Sequence, residues 1–425
     1  MSQSALLARG AALAERLPAC PLAVNYCERR DHFAVALLAV WLRGQTAVFP
    51  ADRTEHTFAM LREDAPDLYA LSDGELDFEI SSLVRVDGVS SDPGPAQIPD
   101  VACSHLAAKV YTSGSTGKPS VNEKSWGMLV AGGKAIPRML QLHTLKDASV
   151  VATVPSQHMY GFETTIMNVL QGETSAHVER PVYPADIARC LAEVAEPRVL
   201  VTTPVHLRAL VEAGTDLPGI ERVISATAPL STELALAAEK VLDSQVWEIY
   251  GFTEIGSVAG RHTVATEDWV LRDGLFAREE DGGQHVYWQA FDRKIPFPDI
   301  VQVVDESHIR LEGRAQDIVN IAGKRASLSG LSAKLLEIEG VEDGAFWLPV
   351  EDSGMGVVSR LVAFVVAPDL NERDVRTELQ RRLDSAFVPR SIHIVDSLPR
   401  NATGKLTQRA MKEFALQIAG GDATA

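Results

Sequence analysis

The segment Val110-Tyr-Thr-Ser-Gly-Ser-Thr-Gly-Lys-Pro119 concentrates groups that bind phosphate. Glycine lets the backbone turn inward and point N–H groups at anionic oxygens, while serine, threonine and lysine add donors. The segment follows the apolar stretch Ala107–Tyr111, which we predict to be a strand. It is not a Walker A loop, because Thr112 stands where that loop has its first glycine and Pro119 where it has a hydroxyl residue. We predict a polyphosphate-binding loop; the alternative is an ordinary turn.

A second segment, Glu248-Ile-Tyr-Gly-Phe-Thr-Glu-Ile-Gly256, places an aromatic ring, a hydroxyl and a carboxylate just after a predicted strand. The Tyr250 ring can stack on a base. The Thr253 hydroxyl can donate to a phosphate, and the Glu254 carboxylate can hold Mg²⁺ through oxygen. In isolation the same pattern is equally typical of a polar loop with a capping glutamate.

Two more segments carry lysines in loops that glycine or proline interrupts. They are Gly313-Arg-Ala-Gln-Asp-Ile-Val-Asn-Ile-Ala-Gly-Lys-Arg325 and Leu398-Pro-Arg-Asn-Ala-Thr-Gly-Lys-Leu406. A lysine in such a loop can act as a mobile cation that enters an active site. Taken alone, each segment is more typical of a solvated turn.

The elements that must position these segments alternate between short apolar strands and helices. This alternation predicts an α/β sheet with helices on its faces, and ligands of such sheets bind at the carboxyl ends of the strands. The predicted strands are Ala107–Tyr111, Ser149–Val154, Val199–Thr202, Arg222–Ala226 and Gln245–Ile249. The predicted helices are Ser4–Leu17, Phe33–Leu42 with Asp31 as its N-cap, Gly161–Leu170, Tyr183–Glu196, Pro204–Ala213 and Ser231–Leu242.

The pattern changes after residue 262. A small β unit is predicted from the strands Trp269–Phe276, His285–Ala290 and His308–Leu311. Mixed elements follow: helices Ser329–Ile338 and Glu372–Phe387, and strands Gly344–Leu348 and Leu361–Val366. We place a domain boundary near 313–317. The fold class is therefore α/β, with a large N-terminal domain (1–313) of α/β sheets plus the small β unit, followed by a small α+β C-terminal domain (314–425).

The composition limits the classes of function. The 425 residues carry a formal net charge of −17, which argues against sequence-independent binding to nucleic acid or anionic lipid. The four cysteines show neither CxxC pairs nor metal-ligand spacing, so a reducing compartment is expected. The N-terminus lacks a signal-peptide core, and the longest apolar run, Phe33–Leu42, is too short to span a bilayer. We expect a soluble cytoplasmic protein without a membrane span.

In this order and spacing, the four segments resemble the adenylate-forming superfamily. This superfamily includes acyl-CoA and aryl-CoA synthetases, peptide-synthetase adenylation domains and luciferases. The resemblance extends from about Val24 to Lys412. Further matching segments lie between the motifs: Ala39–Gly44, Val154–His158 with Gly161, Ala226–Leu230 and Phe297–Ile300.

The resemblance implies a reaction in two halves that uses ATP and Mg²⁺. A carboxylate oxygen attacks the α-phosphorus of ATP and releases pyrophosphate; a thiol then attacks the acyl-adenylate and releases AMP. Such chemistry needs charge neutralisation more than covalent catalysis. By resemblance, the nucleotide-binding residues are Thr112, Ser113, Gly114, Ser115, Thr116, Gly117 and Lys118 at the β- and γ-phosphates, Ala226, Thr227, Ala228, Pro229, Tyr250 and Gly251 around the adenine, and Asp299 and Arg314 at the ribose.

The candidate catalytic residues follow from the same resemblance. Thr253 matches the residue at the α-phosphate, and Glu254 the Mg²⁺ ligand. The C-terminal domain of the family swings between the half-reactions: in one pose the lysine matched by Lys405 bridges carboxylate and α-phosphate, and in the other the glycine matched by Gly323 lines a pantetheine tunnel. His158 matches a gate beside the acyl pocket; the alternative is a hydrogen-bonded core histidine.

Three features depart from the family pattern. Gln316 takes the place of the usual hinge aspartate and is followed by Asp317; we expect it to serve, because a hinge needs only backbone freedom and solvation. Ser120 takes the place of the second lysine of the usual Lys-Pro-Lys. Only about 110 residues precede the phosphate loop, which is fewer than in typical members.

The leading hypothesis is an ATP-dependent ligase that joins a small carboxylic acid to a thiol. A catalytically weak AMP-binding module is a second hypothesis, which the retained Lys118, Glu254, Asp299 and Lys405 argue against; the motifs alone leave a luciferase-type oxidase open. The stretches Pro155–Glu163 and Glu123–Trp126 are similar to ligases of aryl-polyene and xanthomonadin-type pathways. Those enzymes are taken to load hydroxybenzoate-like acids onto an acyl carrier protein.

The charge distribution bears on the acceptor thiol. Residues 373–412 hold nine basic and four acidic side chains, a net charge of +5. Because carrier proteins are acidic, this segment fits a carrier-protein acceptor. The alternatives are a solvated helix face and, for the acceptor, CoA.

Overall fold

The computed structural model describes residues 1–50, 53–88, 98–112, 120–172, 174–280, 282–314, 318–321, 324–349, 361–401 and 404–421. Its helices are α1 Gln3–Ala14, α2 Arg30–Leu42, α3 Glu55–Asp64, α4 Trp126–Met139, α5 Met159–Gly161, α6 Asn168–Gln171, α7 Pro184–Ala192, α8 Pro204–Ala213, α9 Thr232–Leu242, α10 Leu328–Leu336, α11 Glu372–Arg382 and α12 Gln408–Gly421. Among these described residues, no helix has both the length and the apolar content needed to cross a membrane.

The strands account for the other regular elements. They are β1 Leu22–Asn25, β2 Thr46–Phe49, β3 Tyr69–Ser72, β4 Leu83–Arg85, β5 Leu106–Thr112, β6 Ser120–Ser125, β7 Ser149–Ala152, β8 Ser175–Ala176, β9 Arg198–Thr202, β10 Arg222–Ser225, β11 Gln245–Phe252, β12 Gly256–His262, β13 Trp269–Leu271, β14 Leu275–Glu280, β15 Gly283–Trp288, β16 Arg293–Pro296, β17 Asp299–Val303, β18 His308–Arg314, β19 Ile318–Ile321, β20 Lys324–Ser327, β21 Asp343–Trp347, β22 Val362–Val366 and β23 Ser391–Ile394.

The chain forms two compact units. The first comprises Met1–Ala226 with Ala238–His262, and the second comprises Thr227–Ala237 with Thr263–Ala425. The α/β class, with sheets in a large N-terminal part and a smaller C-terminal part, is confirmed. The predicted domain boundary near 313–317 remains a prediction.

The first unit contains a six-stranded sheet in the order β4-β3-β1-β2-β5-β6. Strands β1 to β5 are parallel, and β6 runs antiparallel along β5. The almost continuously apolar helix α2 packs with α1 into the core of this unit, where Leu13, Phe33, Phe49 and Phe162 are fully buried. An apolar helix of this kind is stable only when it is covered on most sides.

The second parallel sheet of the first unit carries the strand order β12-β11-β10-β9-β7-β8. Strands β7, β9, β10 and β11 are parallel, and β12 folds back antiparallel on β11. Val150, Val201, Ile224 and Trp247 form part of the core on one face. Four successive parallel strands therefore end at one edge, where the topology places their following loops side by side.

The second unit is richer in antiparallel pairs. Strands β17 and β18 form one hairpin, β18 also pairs with β13, and β14, β15 and β16 form a separate three-stranded sheet. Towards the C-terminus, β21, β22 and β23 form a sheet whose core includes Leu335, Val365, Val375 and Leu379 from α10, β22 and α11. Phe364 on the opposite face packs with Leu398 and Met411.

Several predicted boundaries are wrong, and three of them have a clear physical reason. Arg29, not Asp31, precedes α2; Asp31 lies in the first turn, where its carboxylate pairs with Arg29 at 3.1 Å and complements the helix dipole. The predicted strand Trp269–Phe276 is two strands, β13 and β14, that pair with different partners. The predicted helix Glu372–Phe387 ends at Arg382, because the Asp384 carboxylate accepts a hydrogen bond from the Ala386 N–H and starts a separate turn.

Candidate active site

The predicted phosphate loop connects two paired strands. Thr112 is the last residue of β5 and is the register partner of Ser120, the first residue of β6. The antiparallel pair therefore fixes both ends of the loop. Ser113, Gly114, Ser115, Thr116, Gly117 and Lys118 lie outside the described residues, and their contact with phosphate remains a prediction.

The segment Val154–His158, called here the His158 segment, begins two residues beyond the end of β7. The His158 N–H donates to the carbonyl of Pro155 at 3.4 Å, and the His158 carbonyl accepts from the Phe162 N–H at 2.7 Å. The His158 side chain is half-buried. These bonds turn the chain sharply from the end of β7 into α5, so that His158 lies at the carboxyl edge of the sheet, as its predicted role requires.

Tyr160 fastens this segment to the neighbouring strands. Its hydroxyl lies 3.1 Å from the carbonyl oxygen of Thr202 and 2.9 Å from that of Ile224, at the ends of β9 and β10. Burial raises the pKa of the phenol well above its usual value, so the hydroxyl stays a donor at neutral pH. Sequence analysis missed Tyr160; the only signal was its position two residues after His158.

Arg30 holds the other end of the same segment. This buried side chain on α2 donates to the carbonyls of Ala152 at 2.6 Å and Val154 at 3.0 Å, and to those of His177 at 3.1 Å and of Glu179. Burial, reinforced by the charge of Arg180, lowers the pKa of Arg30 to about 10, so it remains charged at neutral pH. The guanidinium thus ties the end of β7 to the chain that follows β8.

We expect Arg30→Leu to destabilise the protein strongly. The substitution leaves four carbonyl oxygens without their donor, and one buried acceptor left unsatisfied costs about 1–3 kcal/mol. The expected loss in the free energy of unfolding is therefore at least about 2 kcal/mol, measured by urea denaturation. The matched control is Arg29→Leu, whose guanidinium is 47% exposed and pairs with Asp31; an exposed ion pair contributes about 0–1 kcal/mol. Equal losses in both variants would contradict the assigned role.

The predicted adenine turn follows β10. Ala226 is buried, Thr227 and Ala228 are half-buried, and Pro229 is exposed. Thr227 has φ of 81°, a backbone conformation that β-branched residues rarely adopt. Strain of this kind persists only where the surrounding structure imposes it, and it clusters at ligand sites.

The β11–β12 hairpin carries the second predicted motif at its tip. Tyr250 and Gly251 lie near the end of β11, and Thr253 and Glu254 form the turn before β12. The Tyr250 ring is mostly buried and tilts against Phe252 at 6.0 Å between centroids. The Thr253 side chain is half-buried, whereas Glu254 is exposed. The hairpin therefore presents a hydroxyl and a carboxylate in consecutive positions at the carboxyl edge of the sheet.

The exposed Glu254 carboxylate fits the predicted Mg²⁺. Mg²⁺ is commonly held by one or two carboxylates together with nucleotide phosphates and water. The described part of the chain contains no group of three or more His, Cys, Asp or Glu side chains arranged to hold a metal. A site completed by phosphate oxygens needs no such group, so the chemistry of this turn is compatible with a metal that arrives with the nucleotide.

In the second unit, the two residues predicted at the ribose are brought together. Asp299 is the first residue of β17, and its register partner across the hairpin is Arg314, the last residue of β18. Directly opposite residues of an antiparallel pair are close neighbours. Gln316, Asp317 and Gly323, which the resemblance links to the hinge and the tunnel, lie outside the described residues.

Lys405 stands in a tightly closed turn of the second unit. The Asn401 amide oxygen accepts from the Lys405 N–H at 2.9 Å, and the Asn401 N–H donates to the Lys405 carbonyl at 3.0 Å. Gly404, with φ of 76°, makes the bend possible. Arg400 binds the Gly404 carbonyl at 2.8 Å and forms a two-pronged ion pair with Asp343 at 2.6 and 2.7 Å. Hydrogen bonds of Arg400 and Asn401 thus hold the backbone on which the exposed Lys405 stands.

The segments that sequence analysis predicts to bind a nucleotide lie on or beside α/β sheets, which is typical of nucleotide-dependent enzymes of the α/β class. A family model described as AMP-binding enzyme matches residues 24–275, and one described as AMP-binding enzyme C-terminal domain matches residues 334–405. The chain belongs to the AMP-binding enzyme family of the adenylate-forming superfamily and is an AMP-forming acid–thiol ligase. Enzymes of this class use ATP.

Among similar proteins, 4-coumarate–CoA ligase of Cereibacter sphaeroides is 25% identical over 301 residues, which cover 69% of each chain. The 3,4-dihydroxybenzoate–[aryl-carrier protein] ligase of Bacillus anthracis is 19% identical over 376 residues, covering 86% of this chain and 87% of the relative. The ATP-bound structure of MatB from Rhodopseudomonas palustris superposes with a TM-score of 0.77 at 20% identity, covering 97% of this chain and 93% of that one. This structural likeness establishes the fold.

Proposed function

We propose that this enzyme activates a small aromatic carboxylic acid, of the hydroxybenzoate type, and transfers it to an acyl carrier protein. The observation that carries the activation step is the carboxyl-edge hairpin, which presents Thr253 and Glu254 beside the loops that follow the neighbouring parallel strands. Support for an aromatic acid comes from the two relatives, named for coumarate and dihydroxybenzoate. One of them is named for an aryl-carrier protein and the other for CoA, and CoA is the alternative acceptor.

In the first half-reaction, a carboxylate oxygen of the acid bonds to the α-phosphorus of ATP, and the bond to pyrophosphate breaks. We assign Tyr250 and the turn Ala226–Pro229 to the adenine, and Asp299 with Arg314 to the ribose. Thr253 contacts the α-phosphate, and Lys405 stabilises the negative charge shared by the attacking carboxylate and the α-phosphate. Glu254 would hold Mg²⁺, which would neutralise phosphate charge.

In the second half-reaction, the acceptor thiol loses its proton, sulfur bonds to the acyl carbonyl carbon, and AMP departs. His158, half-buried at the carboxyl edge, is assigned to the gate beside the acid. Tyr160 and Arg30 keep the backbone of its segment in place from opposite ends, through the carbonyls of β9 and β10 and of β7 respectively. The position of the gate thus depends on Tyr160 and Arg30.

The test of this function is a panel of carboxylic acids in a pyrophosphate-release assay. We expect benzoates with hydroxyl substituents to give the highest rates, with aliphatic acids well below them. Mass spectrometry of a carrier protein and of CoA, each incubated with enzyme, ATP and the best acid, then identifies the acceptor. Pyrophosphate release with aliphatic acids alone would overturn the aromatic assignment, and acylation of CoA in preference to every carrier protein would establish the alternative acceptor.

The arginines of the basic segment 373–412 differ in how far contacts within the protein already engage their side chains. The Arg376 guanidinium donates to the carbonyls of Pro389 at 2.7 Å and Arg390 at 3.0 Å, so it supports a turn and is unsuited to reversal. Arg382 is paired with Glu378. Arg381 also contacts Glu378, yet it is 70% exposed, and Arg373 on the same helix is exposed as well. Arg373 and Arg381 are therefore the better probes.

We expect the double reversal Arg373→Glu with Arg381→Glu to slow acyl transfer to the carrier protein by about tenfold, and to reduce the salt dependence of the rate. Screened attraction mainly accelerates encounter. Adenylation and transfer to CoA should change little. The control is the same change of charge on the first unit, in Arg16→Glu with Arg43→Glu, two exposed positions. If both double variants load the carrier at the same rate, the carrier does not dock on α11.

A further inference from the structure

Glu163 is a buried carboxylate that the predicted chemistry does not use. It lies in the π-helical turn Phe162–Met167, which continues directly from the His158 segment through α5. Its side chain is only 2% exposed. A buried carboxylate is costly unless it is paired or hydrogen-bonded, and π-helical turns are frequent at functional sites. The position of Glu163 therefore calls for a physical reason.

Glu163 binds β12, the strand that follows the turn containing Thr253 and Glu254. Glu163 Oε2 accepts from the Ser257 N–H at 2.7 Å and from the Ser257 hydroxyl at 2.6 Å. Ser257 is the second residue of β12 and follows Glu254 by three positions. Two donors from one residue hold the strand at a single point, and hydrogen bonds to a charged acceptor are about twice as strong as neutral ones.

Two glycines make room for the carboxylate. A Cβ on Gly256 would lie 2.2 Å from Glu163 Oε1, and a Cβ on Gly132 of α4 would lie 3.0 Å from the same atom. Gly256 also has φ of 103°, which favours glycine. On the opposite side of the hairpin, a Cβ on Gly251 would lie 2.4 Å from the Gly256 carbonyl. The turn between Gly251 and Gly256 is thus packed closely on both sides and has little freedom to shift.

We propose that Glu163 is a positioning residue that holds the Thr253–Glu254 turn in place relative to the His158 segment. The inference rests on the proposed function, in which Thr253 and Glu254 act on the nucleotide. Glu163 itself touches no substrate, because the hairpin and α4 enclose its carboxylate. Its contribution is to fix where the hydroxyl and the metal-binding carboxylate stand, so that the acid and the phosphates meet in a constant geometry.

The test uses Glu163→Gln and Ser257→Ala, singly and together. Glu163→Gln keeps the length and one oxygen of the side chain but removes the charge, and Ser257→Ala removes one of the two donors. Supporting groups behind a metal ligand typically contribute about 10- to 100-fold to metal affinity or activity. We expect Glu163→Gln to weaken ATP binding in the presence of Mg²⁺ by about tenfold in calorimetry, with ATP binding in EDTA nearly unchanged. The double variant should bind MgATP no more weakly than the worse single variant, because both substitutions weaken the same contact.

The matched control is Glu248→Gln. Glu248 is another buried carboxylate of the same hairpin; it pairs with Arg261 at 2.6 Å and lies on β11, five residues before Thr253. Glu248→Gln should lower the melting temperature without a selective loss of Mg²⁺-dependent ATP binding. If Glu163→Gln and Glu248→Gln lose nucleotide affinity only in proportion to their lost stability, Glu163 is a structural group and the inference falls. Failure of the proposed function looks different: the wild-type enzyme would then release no pyrophosphate with any aromatic acid.

Discussion

Lys405→Ala is expected to slow pyrophosphate exchange by about 10²- to 10³-fold, the usual effect of removing one group that meets transition-state charge. The side chain is exposed, and the turn that carries it is closed by Asn401 and anchored through Arg400. These contacts use backbone atoms of the turn and the side chains of its other residues. The substitution therefore removes the cation and leaves these contacts of the turn in place, so the melting temperature should change little.

The same variant separates the two half-reactions. Formation of the thioester from supplied acyl-AMP should fall far less than adenylation, because the charge that Lys405 stabilises belongs to the first step. Lys412→Ala, an exposed lysine on the following helix α12, is the matched control and should match the wild type in both assays. Equal losses in both half-reactions for Lys405→Ala would contradict the proposal that this lysine serves adenylation alone.

The site residues that sequence analysis predicts share one property: each is marked by a pattern in a few neighbouring residues. Thr112, Tyr250 and Glu254 sit at or just after strands whose apolar character is visible in a few neighbouring residues, and parallel topology then brings strand ends to a common edge. Asp299 and Arg314 were matched separately, yet the β17–β18 register pairs them. Local signals of this kind require only that the predicted strands exist and pair.

The residues that sequence analysis missed act over long separations. Arg30 binds carbonyls more than one hundred residues away, and Glu163 binds Ser257 from 94 residues away. A charged residue beside an apolar stretch was the only sign of either, and the same sign is shown by many solvated side chains. The value of such a group depends on what tertiary packing places against it, and a carbonyl oxygen, being present in every residue, leaves no mark in the sequence.

Asp31 shows the same limit at a smaller scale. Aspartate before an apolar run is a good N-cap signal, but the N-cap of α2 is Arg29, two residues earlier. The Asp73 carboxylate accepts hydrogen bonds from the Glu28 and Arg29 N–H groups ahead of the helix. Asp73, which follows β3, thus fixes the chain just ahead of the helix, and the Arg30 N–H donates to the Val178 carbonyl at 3.0 Å. Tertiary contacts therefore hold the start of α2 without a local capping side chain.

Gly323→Leu is expected to give the opposite pattern to Lys405→Ala: pyrophosphate exchange close to the wild-type rate, and loss of the thioester product. Gly323 lies outside the described residues, and the strands that flank it, β19 and β20, pair antiparallel with Ile321 opposite Lys324. The resemblance assigns this glycine to the wall of the tunnel that admits pantetheine. A leucine side chain there would occupy the space through which the thiol must pass, whichever acceptor carries it.

Because carrier protein and CoA both present their thiol on pantetheine, Gly323→Leu should block both acceptors alike, whereas the charge reversal on α11 should affect the carrier alone. Gly323→Ala provides a graded control, since a single methyl group obstructs less than an isobutyl group, and should retain intermediate thioester formation. The melting temperature of each variant excludes misfolding as the cause. Normal thioester yield in Gly323→Leu would mean that the thiol reaches the acyl-adenylate by another path. Such a result would contradict the assignment of Gly323 to the tunnel, whereas the assignment of the acceptor is tested separately by the charge reversal on α11.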